Sequence, residues 1–128
     1  MRWIIATMLA AAPAMAEPIA VPSGQPVELV EVIRDAPGTA DIVWRFRFVA
    51  PQIARGGGTV GVDAALADMD ALCADVAVPM VEQAEFAPDQ VIISFTDRPV
   101  AFGSPAPEAT QFFEAYRIEA GSCVWEGF

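Results

Sequence analysis

Hydrophobic and polar side chains alternate most clearly between Ile42 and Ala50. Ile42, Trp44, Phe46 and Phe48 fall on one side, and Val43, Arg45, Arg47 and Val49 on the other. That period of two predicts a half-buried strand. Val27–Arg34, rich in Val, Leu and Ile, predicts a strand before it, joined through the turn cluster Asp35–Asp41 as a hairpin. The spacing changes after Gly61. Leu66, Met69, Cys73 and Val76 recur at three- and four-residue steps, with Leu72 beside them. They predict an amphipathic helix capped by Asp63 and running to about Ala77, with Pro79 just beyond its end. Val91–Asp97 reads as a third strand. Thr110–Glu119 and Ser122–Phe128 read as a second hairpin around Ala120-Gly121.

Between these elements the chain is irregular. Residues 17–26 hold three prolines and a glycine and read as an extended lead-in. Residues 79–90 form an acidic connector. Arg98–Glu108 contains three prolines and a glycine and reads as a loop. The predicted fold is α+β: an antiparallel sheet of about five strands, in the order ββαβββ, with one helix on one face. A two-residue Ala120-Gly121 turn places Ile118 opposite Cys123 and Tyr116 opposite Trp125, with Phe112 and Glu114 on the same face. In the first hairpin, an even register sets Val30 and Val32 with Trp44 and Phe46. It puts Glu31 with Arg45 and Arg47 on the other face, where cross-strand ion pairs are expected. The expected core is Trp44, Phe46, Leu66, Met69, Leu72, Phe95, Tyr116 and Trp125.

The N-terminus follows a different logic. Arg2 is a short positive region, Trp3–Ala12 an apolar run, and Ala14-Met15-Ala16 a small-x-small cleavage site. Residues 1–16 therefore read as a secretory signal peptide cut before Glu17, too short for a membrane anchor. No cysteine follows the cut, so a lipoprotein anchor does not fit. Residues 17–128 would form a single small domain, exported to the periplasm or beyond. With six arginines against seventeen acids, the mature chain carries −11. That balance opposes nucleic-acid binding and docking on anionic lipid. No stable membrane insertion is expected after cleavage. In an oxidising compartment the two cysteines, Cys73 and Cys123, are expected to bridge.

Several segments look familiar together: Trp44-Arg45-Phe46-Arg47-Phe48-Val49-Ala50-Pro51-Gln52-Ile53-Ala54-Arg55, Asp68-Met69-Asp70-Ala71-Leu72-Cys73, Ser94-Phe95-Thr96-Asp97-Arg98-Pro99, Ala109-Thr110-Gln111-Phe112-Phe113-Glu114 and the ending Cys123-Val124-Trp125-Glu126-Gly127-Phe128. Over nearly the whole mature chain they resemble an uncharacterised family of small exported alphaproteobacterial proteins. The resemblance implies no activity and no site residues. Some similar proteins carry an acetolactate-synthase label. This chain argues against it, having no Asn anywhere and so no Gly-Asp-Gly…Asn pattern for thiamine diphosphate. Nor does one clear helix match the βαββαβ domains of a small regulatory subunit.

Little catalytic chemistry is left. There is no His and no Lys, hence no catalytic triad, histidine metal ligand, Schiff base or P-loop lysine. Gly56-Gly57-Gly58 lacks the P-loop ending. Asp68, Asp70 and Asp75 on a helix are splayed and read as a solvated face, not a calcium loop. No cofactor and no metal is expected. Glu114, on the helix-facing side, is the one carboxylate placed for acid–base work, with a salt bridge or the sheet edge as its structural alternative. The expected function is a non-catalytic interaction module of the cell envelope. Its partner, an envelope protein, would meet the sheet face left open by the helix. Val43, Val49, Phe113, Val124 and Phe128 lie there among Arg45, Arg47 and Glu126. The alternatives are that proline-rich loops cover this face, or that Arg45, Arg47 or Arg98 holds a small anion.

Overall fold

A computed structural model describes residues 18–38 and 41–127. The expected signal peptide and the expected open-face residue Phe128 lie outside them. Five strands form one sheet: β1 (Glu28–Arg34), β2 (Val43–Val49), β3 (Gln90–Thr96), β4 (Gln111–Glu119) and β5 (Ser122–Glu126), in spatial order β1-β2-β3-β4-β5. The helix lies between β2 and β3 in sequence, so the expected α+β class and the ββαβββ order hold. One pairing differs from the expected antiparallel pattern. β2 and β3 run parallel, Trp44 beside Val91 and Phe48 beside Phe95, while the other three pairs are antiparallel. A parallel neighbour needs a long crossover, and the helical segment supplies it.

That segment is longer than its pattern predicts. α1 (Val62–Leu72) passes through a π-helical stretch, Cys73–Ala77, into α2 (Val78–Glu82). The Val78 N–H donates to the Cys73 carbonyl, five residues back. This wider turn leaves room for the Pro79 ring, which would otherwise crowd the preceding turn, so the helix does not stop at Pro79. Nor does Asp63 cap the helix. Gly61 is the cap residue, with the Ala65 N–H donating to its carbonyl at 3.0 Å, and Asp63 lies in the first turn.

The core lies between this helix and one sheet face. Trp44, Phe46, Phe48, Val91, Ile93, Phe95 and Tyr116 meet Ala65, Met69, Leu72, Cys73, Ala77 and Val81 there, as the period-two and period-four patterns require. Leu66 is only half-buried. The second hairpin has the expected register, with Ile118 opposite Cys123 and Tyr116 opposite Trp125. Its turn residues Ala120 and Gly121 have φ of 49° and 78°, the left-handed pair that a two-residue hairpin takes. In the first hairpin Val32 opposes Phe46, but a bulge between Leu29 and Glu31 takes Val30 out of the ladder and leaves it 49% exposed.

Two corrections concern charge and an aromatic. Asp68 is fully buried, not on a solvated face. Its carboxylate accepts the Ser23 N–H at 2.8 Å, the Ser23 hydroxyl at 2.5 Å and Gln25 Nε2 at 2.7 Å. The extended lead-in, turned at Val21–Gly24 and joined to Val27 through the Ile19 N–H, is thereby strapped across α1. Asp70 receives the Tyr116 hydroxyl at 2.5 Å. Burial first, and then that carboxylate, push the Tyr116 phenol well above its usual range. Trp125 is on the core side of β5 by register yet 61% exposed. β5 is the sheet edge, and the one helix reaches it at Cys123 and does not extend over Trp125.

Cys73 and Cys123 are bonded, with Cα atoms 6.3 Å apart, inside the usual range. The bridge ties the π-helical stretch to the edge strand, so the helix covers the face that the pairing predicts.

Candidate functional site

The face away from the helix carries rows set by strand register. One row runs Ile33, Arg45, Ile92, Ala115, Glu126. The next runs Glu31, Arg47, Ser94, Phe113. The loop between β3 and β4 folds over part of this face, and both of its ends are fixed. The Asp97 N–H donates to the Thr110 carbonyl at 3.1 Å, and the Thr110 N–H to Asp97 Oδ1 at 3.0 Å. Arg98 Nε and Nη2 reach the same carboxylate at 3.3 and 3.1 Å. The Arg98 guanidinium, and to a lesser degree the Thr110 N–H, hold the Asp97 carboxyl below its usual value of 3.8 against the opposing effect of burial. Behind the loop, Arg55 donates to Thr110 Oγ1 from its backbone N–H (3.1 Å) and from Nε (3.3 Å), and from Nη2 to the Ala109 carbonyl (2.8 Å). Gly58 is needed here because a Cβ on it would stand 2.3 Å from the Ala54 carbonyl oxygen. Of the glycine run, Gly58 thus serves close backbone packing, while Gly57 takes a φ of 85° in the turn before it.

The loop tip is held by the sheet. Arg47 Nη2 donates to the Val100 carbonyl at 2.6 Å, and its Nη1 pairs with Glu31 at 2.7 Å. The Arg45 and Arg47 guanidiniums stand 5.6 and 5.5 Å from the centre of the Phe102 ring. Beneath and beside the tip remains a cleft of about 530 Å³. Val30, Ile92, Phe102 and Phe113 supply apolar wall, and Arg45, Arg47 and Ser94 supply polar groups. Phe102 and Phe113 are each 58% exposed.

The structure therefore brings Arg45 and Arg47 together, with Glu31 paired to Arg47 as the register implied. Arg98 is not with them. It is committed to Asp97 at the loop base and lines a separate depression with Pro99, Pro105 and Pro107. The loop covers part of the face expected to be open. Val49 is buried, Val43 and Val124 are half-buried, and Phe113 stays exposed. Glu114 is half-buried near the sheet edge and accepts a hydrogen bond from the Trp125 indole N–H. Phe102 was hidden from sequence reading because it sits in an irregular loop. An aromatic among Gly and Pro was the only signal. Among the described residues no group of His, Cys, Asp and Glu could hold a metal ion, and no helix is long and apolar enough to cross a membrane.

Fold and cleft together define a small disulfide-bonded α+β protein, one sheet face covered by a helix and the other partly roofed by a loop. Its sequence matches the family of unknown function DUF6497 over residues 4–128, and the chain belongs to that family. No curated protein and no solved structure matches it.

Proposed function

We propose that this protein is a non-catalytic binding module of the cell envelope, exported with removal of residues 1–16, and that it binds through the loop-roofed cleft. The observation that carries the reading is the cleft itself. Its volume of about 530 Å³ lies within the range of ligand sites, with mostly apolar walls and a few polar groups. Its lining contains two arginines and no carboxylate, so it offers no acid–base pair. The disulfide suits an oxidising compartment. The roofing loop makes the face concave, which favours an inserted group over a flat protein partner spanning the sheet.

The neutral, apolar fluorophore N-phenyl-1-naphthylamine tests this reading. The native protein should bind it saturably at one site. Replacing the exposed pair, Phe102→Ser with Phe113→Ser, should abolish binding and leave the melting transition intact. Absence of saturable binding, or binding indifferent to the double substitution, would refute the assignment of the cleft.

A further inference from the structure

The geometry points to an amphipathic organic acid as the occupant: one carboxylate held by Arg45, with an apolar body lying between Phe102 and Phe113. This rests on the cleft being the binding site. The two arginines of the cleft are not equivalent. Arg47 is 13% exposed in its side chain and spends its donors on Glu31 at 2.7 Å and the Val100 carbonyl at 2.6 Å. It holds the loop. Arg45 is 31% exposed, and the Asp35 oxygen it faces stands 3.8 Å away, longer than a hydrogen bond. The other Asp35 oxygen is committed to the Val43 N–H at 3.0 Å. Arg45 thus keeps its charge beside the cleft with its planar donor fork only loosely engaged. Such a fork suits a carboxylate in a two-bond arrangement, and an exposed ion pair of this kind yields little resistance to exchange.

Neighbouring charge limits the ligand to a single negative group. Glu31 and Asp35 already balance the two arginines, so a polyanion would meet carboxylates on its flanks. A cation on the Phe102 ring would meet the two guanidiniums that already stand against it. Ser94, across from Arg47 in β3, donates to the Phe46 carbonyl only at 3.5 Å, and its hydroxyl can turn to a ligand oxygen as a further donor. The remaining walls, Val30, Ile92, Phe102 and Phe113, take hydrocarbon.

Calorimetric titration of the full mature protein with decanoate, decanol and decyltrimethylammonium, all below micelle formation, tests the proposal. Decanoate should bind about tenfold more tightly than decanol, the scale of one charge-assisted pair. Arg45→Gln should bring decanoate affinity down to that of decanol measured on the same variant, and Arg45→Lys should restore part of the preference. Equal affinity for the three amphiphiles, or a preference that survives Arg45→Gln in a folded variant, overturns the acid and leaves the binding reading standing. If none binds saturably, and the neutral fluorophore also fails, both fall.

Discussion

Asp68 shows how one side chain can be placed correctly on an element and still be misread. Helical spacing sets it on α1, near Asp70 and Asp75, where a run of acids reads as a solvated face. The structure buries it under the lead-in, with three donors from Ser23 and Gln25 on its carboxylate. Helical period carries no information about a proline-rich segment packing from 43 to 45 residues away, so the burial was not legible. Removing the acceptor leaves the buried Gln25 amide without a partner and releases the exposed Ser23 donors to water, so the strap loses its anchor. Asp68→Ala should destabilise by about 3 kcal/mol, and Asp68→Asn by clearly less, since an amide still accepts. Urea denaturation measures both. A loss for Asp68→Ala below roughly 0.5 kcal/mol, the size of an ordinary surface change, would mean that the strap contributes nothing. Arg45 and Arg47, by contrast, were legible as neighbours from strand alternation alone. Their unequal commitments depend on Val100 and Asp35, which alternation cannot see.

Pairing register in the second hairpin was readable because its two-residue turn leaves few alternatives, whereas in the first only the alternation of faces was, and it held for Val32 but not for Val30. Ile118 opposite Cys123 follows from the turn, and Val32 on the face of Phe46 from the alternation. The β1 bulge and the exposure of Trp125 do not. They depend on where the loop and the helix lie over the sheet, which is a property of packing between elements. The parallel pairing of β2 with β3 was implied by the intervening helix but masked by the strong hairpin signals on either side. The Cys73–Cys123 bridge works at this scale. It fixes the helix to the edge strand across a separation of 50 residues. Closing a loop of that size should stabilise by about 4 kcal/mol in the chain-entropy account. Reduction, or Cys73→Ala with Cys123→Ala, should lower the melting temperature by that measure. An unchanged melt after confirmed reduction would show that core packing alone holds the helix.

The molecule as a whole joins an apolar N-terminal stretch, expected to act as a leader, to residues 17–128, whose charge is −11. If the leader directs export, N-terminal sequencing of the native protein begins at Glu17. A native chain beginning at Met1 would remove the envelope from the proposal and leave the cleft chemistry untouched. The α+β class was legible because one helical period stands among five strand-like segments, whereas the cleft was not, since it is built by a loop without periodicity. The parallel β2–β3 pair carries one more consequence, in the order of assembly. β1 with β2, and β4 with β5, can each zip from a short turn, but β2 finds β3 only after the whole helical crossover is in place. Contacts distant along the chain form more slowly than local ones, because the loop between them must close first. The β2–β3 seam is therefore the last to close, and until it does the chain exposes the backbone edge of β2, beside the core-face aromatics Trp44, Phe46 and Phe48, as an unpaired edge open to self-association.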